Sequence, residues 1–504
     1  MQVVCIVWYK FCHNGSAYNA VPNQNYRFRT KGQIRNMSFF SIEFSVLLLV
    51  FFSLYWAVKS SKIQNLLLLG FNYLVIYLFS PYFALIVGVY TCLVYVLALF
   101  IDTARVRFVF LACVGVCVLF LCFFKYYANI KDEFDALLIL FGLDFLESDI
   151  IFPLGLSFYT FNSITYLNQV YKESKNLMRD EYYEEQNPAL QSFVALATYL
   201  SFFATFLAGP IMRSHFFFSQ YHAKKELGSL DLIIALILFG VVKKVLIANY
   251  AQMYATPILN TPFSYHSFEL LSAMFAYSVQ IYCDFSGYVN LVCAFGLMLG
   301  FVLPPNFNMP YMAKNLKDFW NRWHISLSSF IRDYIYIPLG GNKNGFVMTQ
   351  ILVLFAFGLS GIWHGNTWTF LIWGFLHGFG LVVLNCYKQL GLPKLPFGGA
   401  SLTFLFVSLC WIFFYYHSLD EAINFFRAMY QNFSLTSPIY VWGVLGGFVV
   451  LFLLYPFMSK AIESTQSLFS VIPLVLKPIV LAVIFMLIVG FMPSGIPNFI
   501  YASF

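Results

Sequence analysis

The chain has 504 residues, of which 60% are hydrophobic and only 10% are charged, and its formal net charge is +7 at pH 7. Soluble domains carry about 25% charged residues, so this composition excludes a soluble globular protein. It predicts an all-α polytopic integral membrane protein. The excess of basic residues is spread over loops, which favours contact with membrane lipids and gives no indication of nucleic-acid binding.

Apolar windows long enough to cross a hydrocarbon core of about 30 Å as helices occur along the whole chain. The clear windows are residues 39–58, 64–79, 82–101, 108–125, 229–249, 346–363, 366–386, 401–416, 441–458 and 472–492. Polar residues interrupt four more, at 150–170, 191–208, 268–302 and 317–337. Together they predict about 11–13 membrane helices, some of them re-entrant. The pair Gly209–Pro210 predicts a helix break, and open backbone at that depth is tolerated only where protein covers it.

The first 36 residues differ from the rest of the chain, because they are polar and carry five basic residues. Basic loops at 59–62 and 105–107 predict cytoplasmic ends, whereas the acidic segment 126–149 predicts an external one. The first apolar helix would then start outside, which a basic tail opposes. We therefore expect residues 1–36 to be a non-native extension or a disordered tail, with Met37 as the true start.

Charged side chains inside apolar windows are costly and by default indicate a functional site. Asp284 interrupts the apolar stretch "QIYCDFSGYVN" (280–290), and we expect it to serve a site or to pair with an arginine. Lys243 and Lys244, in "VKKVLIAN", are expected to extend to the cytoplasmic headgroups. Attraction of an anionic cytosolic ligand is the alternative for these two lysines.

The stretch "NLKDFWNRWHISLSSFIRDYIYIPLGGNKNG" (315–345) is dense in polar and aromatic side chains. Read as one helix, it aligns four residues on one stripe: Trp320, His324, Ser328 and Arg332. The proline and paired glycines of "PLGGN" end that helix. Such a helix is expected to line a polar cavity or to lie at the membrane interface.

A histidine lies between two long apolar stretches in "GIWHGNTWTF" (361–370). Ser360 and Gly361 lie shortly before His364 and Gly365 directly follows it, and these small residues would give a ligand close access to the backbone. A neutral imidazole can act as a general base near pH 7 without a buried full charge. His364 and His324 are therefore candidate catalytic residues, whereas a structural role is favoured for His377. No phosphate-binding loop, zinc-protease motif or nucleophile elbow occurs in the sequence, and no metal site is predicted.

These motifs resemble the membrane-bound O-acyltransferase (MBOAT) family, in particular its bacterial alginate and peptidoglycan O-acetylation branch. The resemblance rests on "QIYCDFSGY", "PPNFNMPY", "DFWNRWHISLSSFIRDYIYIPLGGNKNG" and "GIWHGNTWTF", with "PLGLSFYTFNSITYL" and "FLAGPIMR" also fitting. It implies a single membrane domain over 37–504, with core motifs in 280–368 and helices around a central funnel or tunnel. Tyr415 stands where such proteins often carry arginine, which leaves partner contacts at that position in doubt.

The resemblance also implies a multi-pass protein of the inner (cytoplasmic) membrane that acts as an O-acetyltransferase. In this branch the donor is acetyl-CoA, no cofactor is bound, and a periplasmic sugar O-acetyltransferase partner receives the acetyl group. The polysaccharide would be one such as peptidoglycan or alginate. The family histidine maps to His364 and its partner to His324. Residues expected to bind the donor or to support catalysis are Trp320, Asn321, Arg322, Trp323, Ser328, Arg332, Asp333, Tyr334, Asn342, Trp363, Asn366, Gln280, Tyr282 and Asp284.

Two other functions stay open at this point. A transporter or flippase could use the same intramembrane His, Asp and Arg residues to move a lipid-linked sugar or protons. Transfer of D-alanine to teichoic acid is a related acyl-transfer reaction, and a carrier-protein donor would mark it. Consumption of an acyl thioester distinguishes an acyltransferase from a transporter.

Overall fold

The computed structural model describes residues 42–140, 152–179, 190–391, 399–434 and 438–493. In these ranges the regular structure is helical, apart from one isolated antiparallel bridge between Phe307 and Trp323. The predicted all-α class is therefore confirmed. The expected N-terminal extension and the expected start at Met37 lie outside the described residues.

The described helices form two compact units. The first unit comprises the described residues up to Gly228 together with Phe295–Leu303. Its helices are α1 (Ile42–Ala57), α2 (Ser61–Phe79), α3 (Pro81–Ala104), α4 (Arg107–Leu140), α5 (Leu156–Arg179), α6 (Phe193–Leu200), α7 (Phe203–Phe206) and α8 (Ser214–His222).

The second unit comprises Ser229–Ala294 and the described residues from Pro304 onward. Its α-helices are α9 (Leu230–Val241), α10 (Ala248–Asn260), α11 (Ser267–Met298), α12 (Leu316–Trp320), α13 (Ile325–Ile331), α14 (Gly345–His364), α15 (Trp368–Gln389), α16 (Gly399–Tyr415), α17 (Leu419–Gln431), α18 (Ile439–Leu454), α19 (Ala461–Ser470) and α20 (Lys477–Phe491). The last turn of α11 belongs to the first unit. Two of the described segments are π-helical, Val242–Ile247 and Arg332–Tyr336. Three are 3₁₀-helical, Pro262–Ser264, Pro310–Met312 and Tyr455–Lys460.

Seven helical segments among the described residues are long and apolar enough to cross a membrane. They are Ser61–Phe79, Pro81–Ala104, Arg107–Tyr127, Ser267–Met298, Gly345–His364, Trp368–Gln389 and Ile439–Ser470. Shorter apolar helices cover Phe44–Ala57, Gly399–Tyr415 and Lys477–Phe491. The protein is thus a multi-pass membrane protein. The total of about 11–13 membrane helices and the central funnel stay predictions.

The chain is non-helical at Gly209–Pro210, as the sequence predicted, but the helix expected over 191–208 already ends at Leu200. Beyond Leu200 the chain forms only the four-residue helix α7 before α8 begins. Residues 208–212 between these helices are buried, so protein covers the non-helical backbone, as expected. The hydroxyl of Tyr199 satisfies part of it by donating to the carbonyl oxygen of Met212 at 2.6 Å.

Lys225 fixes the chain after α8 in the first unit. The residue is only 4% exposed, and its ammonium donates to the carbonyl oxygens of Gln220, Tyr221 and Ala223. Its Nζ also lies 4.7 Å from the centre of the Phe301 ring, within cation–π distance. Burial lowers the pKa of Lys225 to about 8, so most of the population still carries the charge at pH 7.

Replacing Lys225 by alanine is expected to lower the free energy of unfolding by about 1.5–3 kcal/mol, the contribution of hydrogen bonds made by a charged donor. The melting temperature of the detergent-solubilised protein measures this loss. Lys224→Ala is the matched control, because Lys224 is exposed. Equal melting temperatures for the two variants would contradict the anchoring role of Lys225.

Candidate active site

His364 is the last residue of α14, at a point where two helices approach closely. A Cβ at Gly361 of α14 would lie 2.4 Å from the carbonyl oxygen of Phe370. A Cβ at Gly374 of α15 would lie 2.3 Å from the carbonyl oxygen of Phe357. A larger residue at either position would push the helices apart. The two glycines therefore set His364 against the first turns of α15.

The ring of His364 lies in a wall of aromatic side chains. The residue is 3% exposed, and its ring centre lies 4.6 Å from Trp363, 4.9 Å from Trp373 and 5.2 Å from Phe414. The contacts with Trp373 and Phe414 are edge-to-face, with interplanar angles of 87° and 73°. Such packing excludes water and restricts the ring to one orientation. A neutral imidazole is buried there at a lower cost than a charged group.

The glycines beside His364 serve packing, which corrects their expected role. A Cβ at Gly365 would lie 2.2 Å from the ring of Phe370, and the space at Gly361 is taken by the backbone of the same phenylalanine. Protein atoms thus occupy the room in which we expected a ligand to approach.

The prediction of one helix over 317–337 is wrong. Helix α12 ends at Trp320, His324 has a left-handed backbone with φ 43° and ψ 54°, and α13 begins at Ile325. A positive φ is uncommon for a residue other than glycine, so neighbouring contacts must hold it. Those contacts come from the segment 306–308, which pairs with the chain around His324. The four-residue spacing therefore does not form a stripe on one helix.

Asn306 holds His324 in a defined tautomer. Its side-chain oxygen accepts from the backbone N–H of Ser326 at 3.2 Å and from the Ser326 hydroxyl at 2.8 Å. The same oxygen lies 3.2 Å from Nδ1 of His324, so Nδ1 is the protonated nitrogen of the neutral ring. Nε2 then carries the lone pair and is the basic position of His324.

Three indole rings connect the surroundings of the two histidines. Trp373, which contacts His364, stacks on Trp411 with ring centres 5.7 Å apart. Trp411 in turn lies 5.0 Å from Trp323, the residue before His324. The ring of His324 lies 4.9 Å from Phe285, and Phe307 connects Phe285 to Trp323 with ring centres 5.0 Å and 5.1 Å away. A series of ring contacts in the second unit thus connects the two predicted catalytic histidines.

Asp284 forms a buried ion pair with a lysine. Lys244 Nζ donates to Asp284 Oδ1, and the two side chains are only 1% and 2% exposed. This corrects the expected arginine partner and the expected position of Lys244 at the headgroups. Gly287 permits the approach, because a Cβ there would lie 3.0 Å from the backbone nitrogen of Lys244 and 2.9 Å from the carbonyl oxygen of Gly240.

The ion pair lies close to these ring contacts. Lys243 and Lys244 belong to the π-helical segment Val242–Ile247, and π-helical turns are frequent at functional sites. Lys243 Nζ lies 5.7 Å from the centre of the Tyr282 ring, and Tyr282 lies 6.2 Å from Trp323. Lys243 is thus placed one aromatic ring away from Trp323, and it is the chain neighbour of Lys244 in the buried ion pair.

Comparison with known proteins identifies the family. The model of the membrane-bound O-acyltransferase family, MBOAT, matches residues 103–419, which is more than half of the chain and includes both histidines. The chain belongs to the membrane-bound O-acyltransferase family. The resemblance deduced from the sequence motifs is thereby confirmed.

Several MBOAT relatives are similar over long stretches. The chain is 34% identical to a peptidoglycan O-acetyltransferase of Helicobacter pylori over 329 residues, or 61% of this chain and 62% of the relative. It is 33% identical to the probable alginate O-acetylase AlgI of Pseudomonas putida over 394 residues, which are 76% of this chain and 78% of the relative. It is 32% identical to a teichoic acid D-alanyltransferase of Bacillus subtilis over 248 residues, which are 47% of this chain and 58% of the relative. The match to the Helicobacter relative spans less than two thirds of that protein's length.

The other predicted site residues of this MBOAT protein differ in burial. Buried are Gln280, Tyr282, Asp284 and Trp323. Partly exposed are Trp320, Arg322, Ser328, Asp333, Tyr334 and Trp363, and exposed are Asn321, Arg332, Asn342 and Asn366.

Near His324, Ser328 donates to the carbonyl oxygen of Trp323 at 3.2 Å, and Arg322 pairs with Asp318 at 2.8 Å. Further along the chain, Arg332 pairs with Asp333 at 2.8 Å, Tyr334 stacks on Phe330 at 4.7 Å, and Asn342 accepts from Tyr336. Roles of these residues in donor binding stay predictions.

Three residues of the site were missed from the sequence: Asn306, Trp373 and Trp411. Asn306 lies in "PPNFNMPY", where an amide between prolines and aromatic residues is the signal that could have found it. The two tryptophans gave no such signal, because 21% of the chain is aromatic and they stand in ordinary apolar helices.

Proposed function

We propose that the protein is the membrane subunit of an O-acetylation system, and that it passes acetyl groups from acetyl-CoA across the inner (cytoplasmic) membrane. The recipient is a periplasmic sugar O-acetyltransferase, which modifies an envelope polysaccharide such as peptidoglycan or alginate. The observation that carries this proposal is His364, buried in an aromatic wall within the matched family region. The names of the Helicobacter and Pseudomonas relatives support acetyl as the transferred group.

The reaction needs an acyl thioester and a hydroxyl to meet where water is excluded. The imidazole of His364 takes the proton of the acceptor hydroxyl while the hydroxyl oxygen attacks the thioester carbon. The C–S bond then breaks with its electron pair on sulfur, and the imidazolium returns the proton to the thiolate. General-base catalysis of this kind contributes about 10²–10⁴ in rate.

His324 acts as a positioning residue in this proposal. Asn306 fixes its tautomer, and the left-handed backbone fixes the direction in which its ring leaves the chain. A ring held in this way keeps Nε2 at a fixed position. A group that orients a substrate needs such a fixed position.

Consumption of a thioester tests the proposed function. Purified protein in nanodiscs receives acetyl-CoA with a radiolabelled acetyl group, with and without the periplasmic partner, and free CoA is measured. Release that His364→Ala removes supports the proposal. Release only from a D-alanylated carrier protein would instead favour the teichoic acid reaction. Transport of an unchanged substrate without thioester consumption would favour the transporter.

Asn306→Ala is expected to slow acetyl transfer about 10–100-fold, by analogy with the loss seen when the group that orients a metal-binding histidine is removed. Alanine offers no acceptor to His324 Nδ1, so the ring loses its fixed tautomer. Asn306→Asp is the matched control, because a carboxylate oxygen can accept the same hydrogen bonds and should keep more of the rate. Equal rates for Asn306→Ala and the wild type would contradict the positioning role.

A further inference from the structure

An apolar groove lies between three helices of the first unit, α2, α3 and α6. Its volume is about 520 Å³. Helices α2 and α3 are both candidate membrane spans, so the groove lies within the hydrocarbon region. At its rim, Leu66 and Phe193 are 55% and 41% exposed. The residues that line it include Gly70 and Tyr73 of α2, Gly88 and Cys92 of α3, and Phe193 and Ala197 of α6.

Two glycines on opposite walls keep the groove open. A Cβ at Gly70 of α2 or at Gly88 of α3 would meet no atom within 4 Å. Neither glycine is therefore needed for close packing of the helices, and a larger side chain at either position would fill the groove. Walls of a groove that nothing fills lose van der Waals contacts. A hydrocarbon chain from the bilayer has the shape and the polarity to supply those contacts.

A lysine stands at one end of the groove. Lys62, Leu66, Leu69 and Tyr73 follow one another on α2 at spacings of four, three and four residues, which places them on one face of the helix. The last three line the groove, and Lys62 lies one turn before them and is exposed. The sequence predicts this end of α2 to be cytoplasmic, so the ammonium lies at the level of the lipid headgroups.

A second basic segment approaches the same end of the groove. Asn65 of α2 donates to the carbonyl oxygen of Tyr221 at 3.0 Å, which sets the end of α8 beside the first turn of α2. Nε2 of His222 lies 2.7 Å from the side-chain oxygen of Gln191, just before α6 begins. Two residues further on, Lys224 is exposed. Cations from two parts of the chain thus gather where the groove meets the headgroups.

We propose that the groove binds one acyl chain of an anionic phospholipid of the cytoplasmic leaflet, with the phosphate of the lipid at Lys62. Basic pockets between membrane helices on the cytoplasmic side bind anionic headgroups, and each lysine near the surface adds to the attraction. A zwitterionic lipid offers the same chain but no net charge, so it gains less at this place. The inference does not depend on acyl transfer.

A bound lipid of this kind would join three helices of the first unit. Its chain contacts α2, α3 and α6, and its headgroup meets the segment that follows α8. Helix α6 precedes the non-helical backbone of residues 208–212. The lipid would therefore hold the helix that leads into this broken part of the unit.

Photocrosslinking tests the site in the full-length protein, reconstituted in phosphatidylcholine nanodiscs. Two probes carry the same diazirine-labelled acyl chain, one on phosphatidylglycerol and one on phosphatidylcholine, and peptide mass spectrometry measures labelling of the segment that contains Gly88 and Cys92. We expect stronger labelling by the phosphatidylglycerol probe. Lys62→Gln should lower that labelling about fivefold, the loss that one lysine near the membrane surface gives, and should leave the other probe unchanged. Gly70→Phe, which places a ring in the groove, should lower labelling by both probes.

Two matched controls accompany these variants. Gly115→Phe adds the same ring on α4 outside the groove, where a Cβ also meets no atom within 4 Å. Lys388→Gln removes an exposed lysine from the second unit. Both should keep wild-type labelling. If Gly70→Phe does not fold, Gly88→Phe closes the groove from α3, and labelling is then measured on the α2 wall.

Three results would overturn the inference. Equal labelling by the two probes, or wild-type labelling in Lys62→Gln, would remove the role of the anionic headgroup. Wild-type labelling in a folded Gly70→Phe protein would show that the chain does not lie in the groove. Displacement of the probe by an unlabelled polyprenyl phosphate at lower concentration than by unlabelled phosphatidylglycerol would replace the phospholipid by a carrier lipid.

Discussion

His364→Ala is expected to abolish the release of CoA from acetyl-CoA while the protein stays folded and inserted in the membrane. Alanine removes the ring that acts as the base, and loss of a general base lowers the rate by about 10²–10⁴. The rings of Trp373 and Phe414 also pack on each other at 5.3 Å, so the aromatic wall keeps a contact without the imidazole. The rate of CoA release and the melting temperature are measured on the same preparation.

His417→Ala is the matched control for this experiment. His417 is exposed, and its ring centre lies 6.0 Å from Phe370 near the same end of α14 and α15. This variant should release CoA at the wild-type rate. A folded His364→Ala protein with the wild-type rate would defeat the assignment of His364. In that case His324→Ala becomes the variant expected to lose activity, because its Nε2 is the other defined basic nitrogen of the candidate site.

The candidate histidines could be found from the sequence because the surrounding composition is uniform. A polar side chain in a long apolar window is costly, so His364 and Asp284 stand out in the sequence alone. The burial of both residues agrees with that reasoning. The helical class follows in the same way from the length of the apolar windows.

The local backbone at His324 could not be predicted in this way. A spacing of four residues indicates a helix only where intrahelical hydrogen bonds are more favourable than hydrogen bonds to other parts of the chain. Asn306, 18 positions earlier in the chain, offers hydrogen bonds to Ser326 and His324 that a helix would not make. This long-range contact breaks the helix. It produces no periodic pattern in the sequence, so the break could not be predicted.

The ion pair between Lys244 and Asp284 could not be predicted from the sequence either. Lys244 and Asp284 lie 40 positions apart, on a π-helical segment and on α11. The sequence shows that each charge is costly, but the close approach depends on Gly240 and Gly287 on the two helices. Each glycine alone is ordinary in a membrane helix, so only the structure shows that they bring the two charges together.

Asp284→Asn is expected to lower the free energy of unfolding by about 3–5 kcal/mol, because it leaves the ammonium of Lys244 buried without its counter-charge. Lys244→Met should have a similar effect through the carboxylate of Asp284. The melting temperature and the yield of monodisperse protein measure both losses. Lys477→Met is the matched comparison and is expected to cause a smaller loss, because Asp231 in that pair is 20% exposed and water can partly solvate the carboxylate that remains.

The double variant Lys244→Met/Asp284→Leu separates folding from function. Replacing both partners of a buried ion pair by apolar side chains is often neutral or stabilising by about 1–4 kcal/mol, so this variant should fold. If it folds and keeps the wild-type rate of CoA release, the pair only joins α11 to the π-helical segment. If it folds and loses that rate, the charges of Lys244 and Asp284 serve the reaction. A melting temperature of Asp284→Asn equal to that of the wild type would contradict the stabilising role, because a buried lysine without its carboxylate cannot be neutral in free energy.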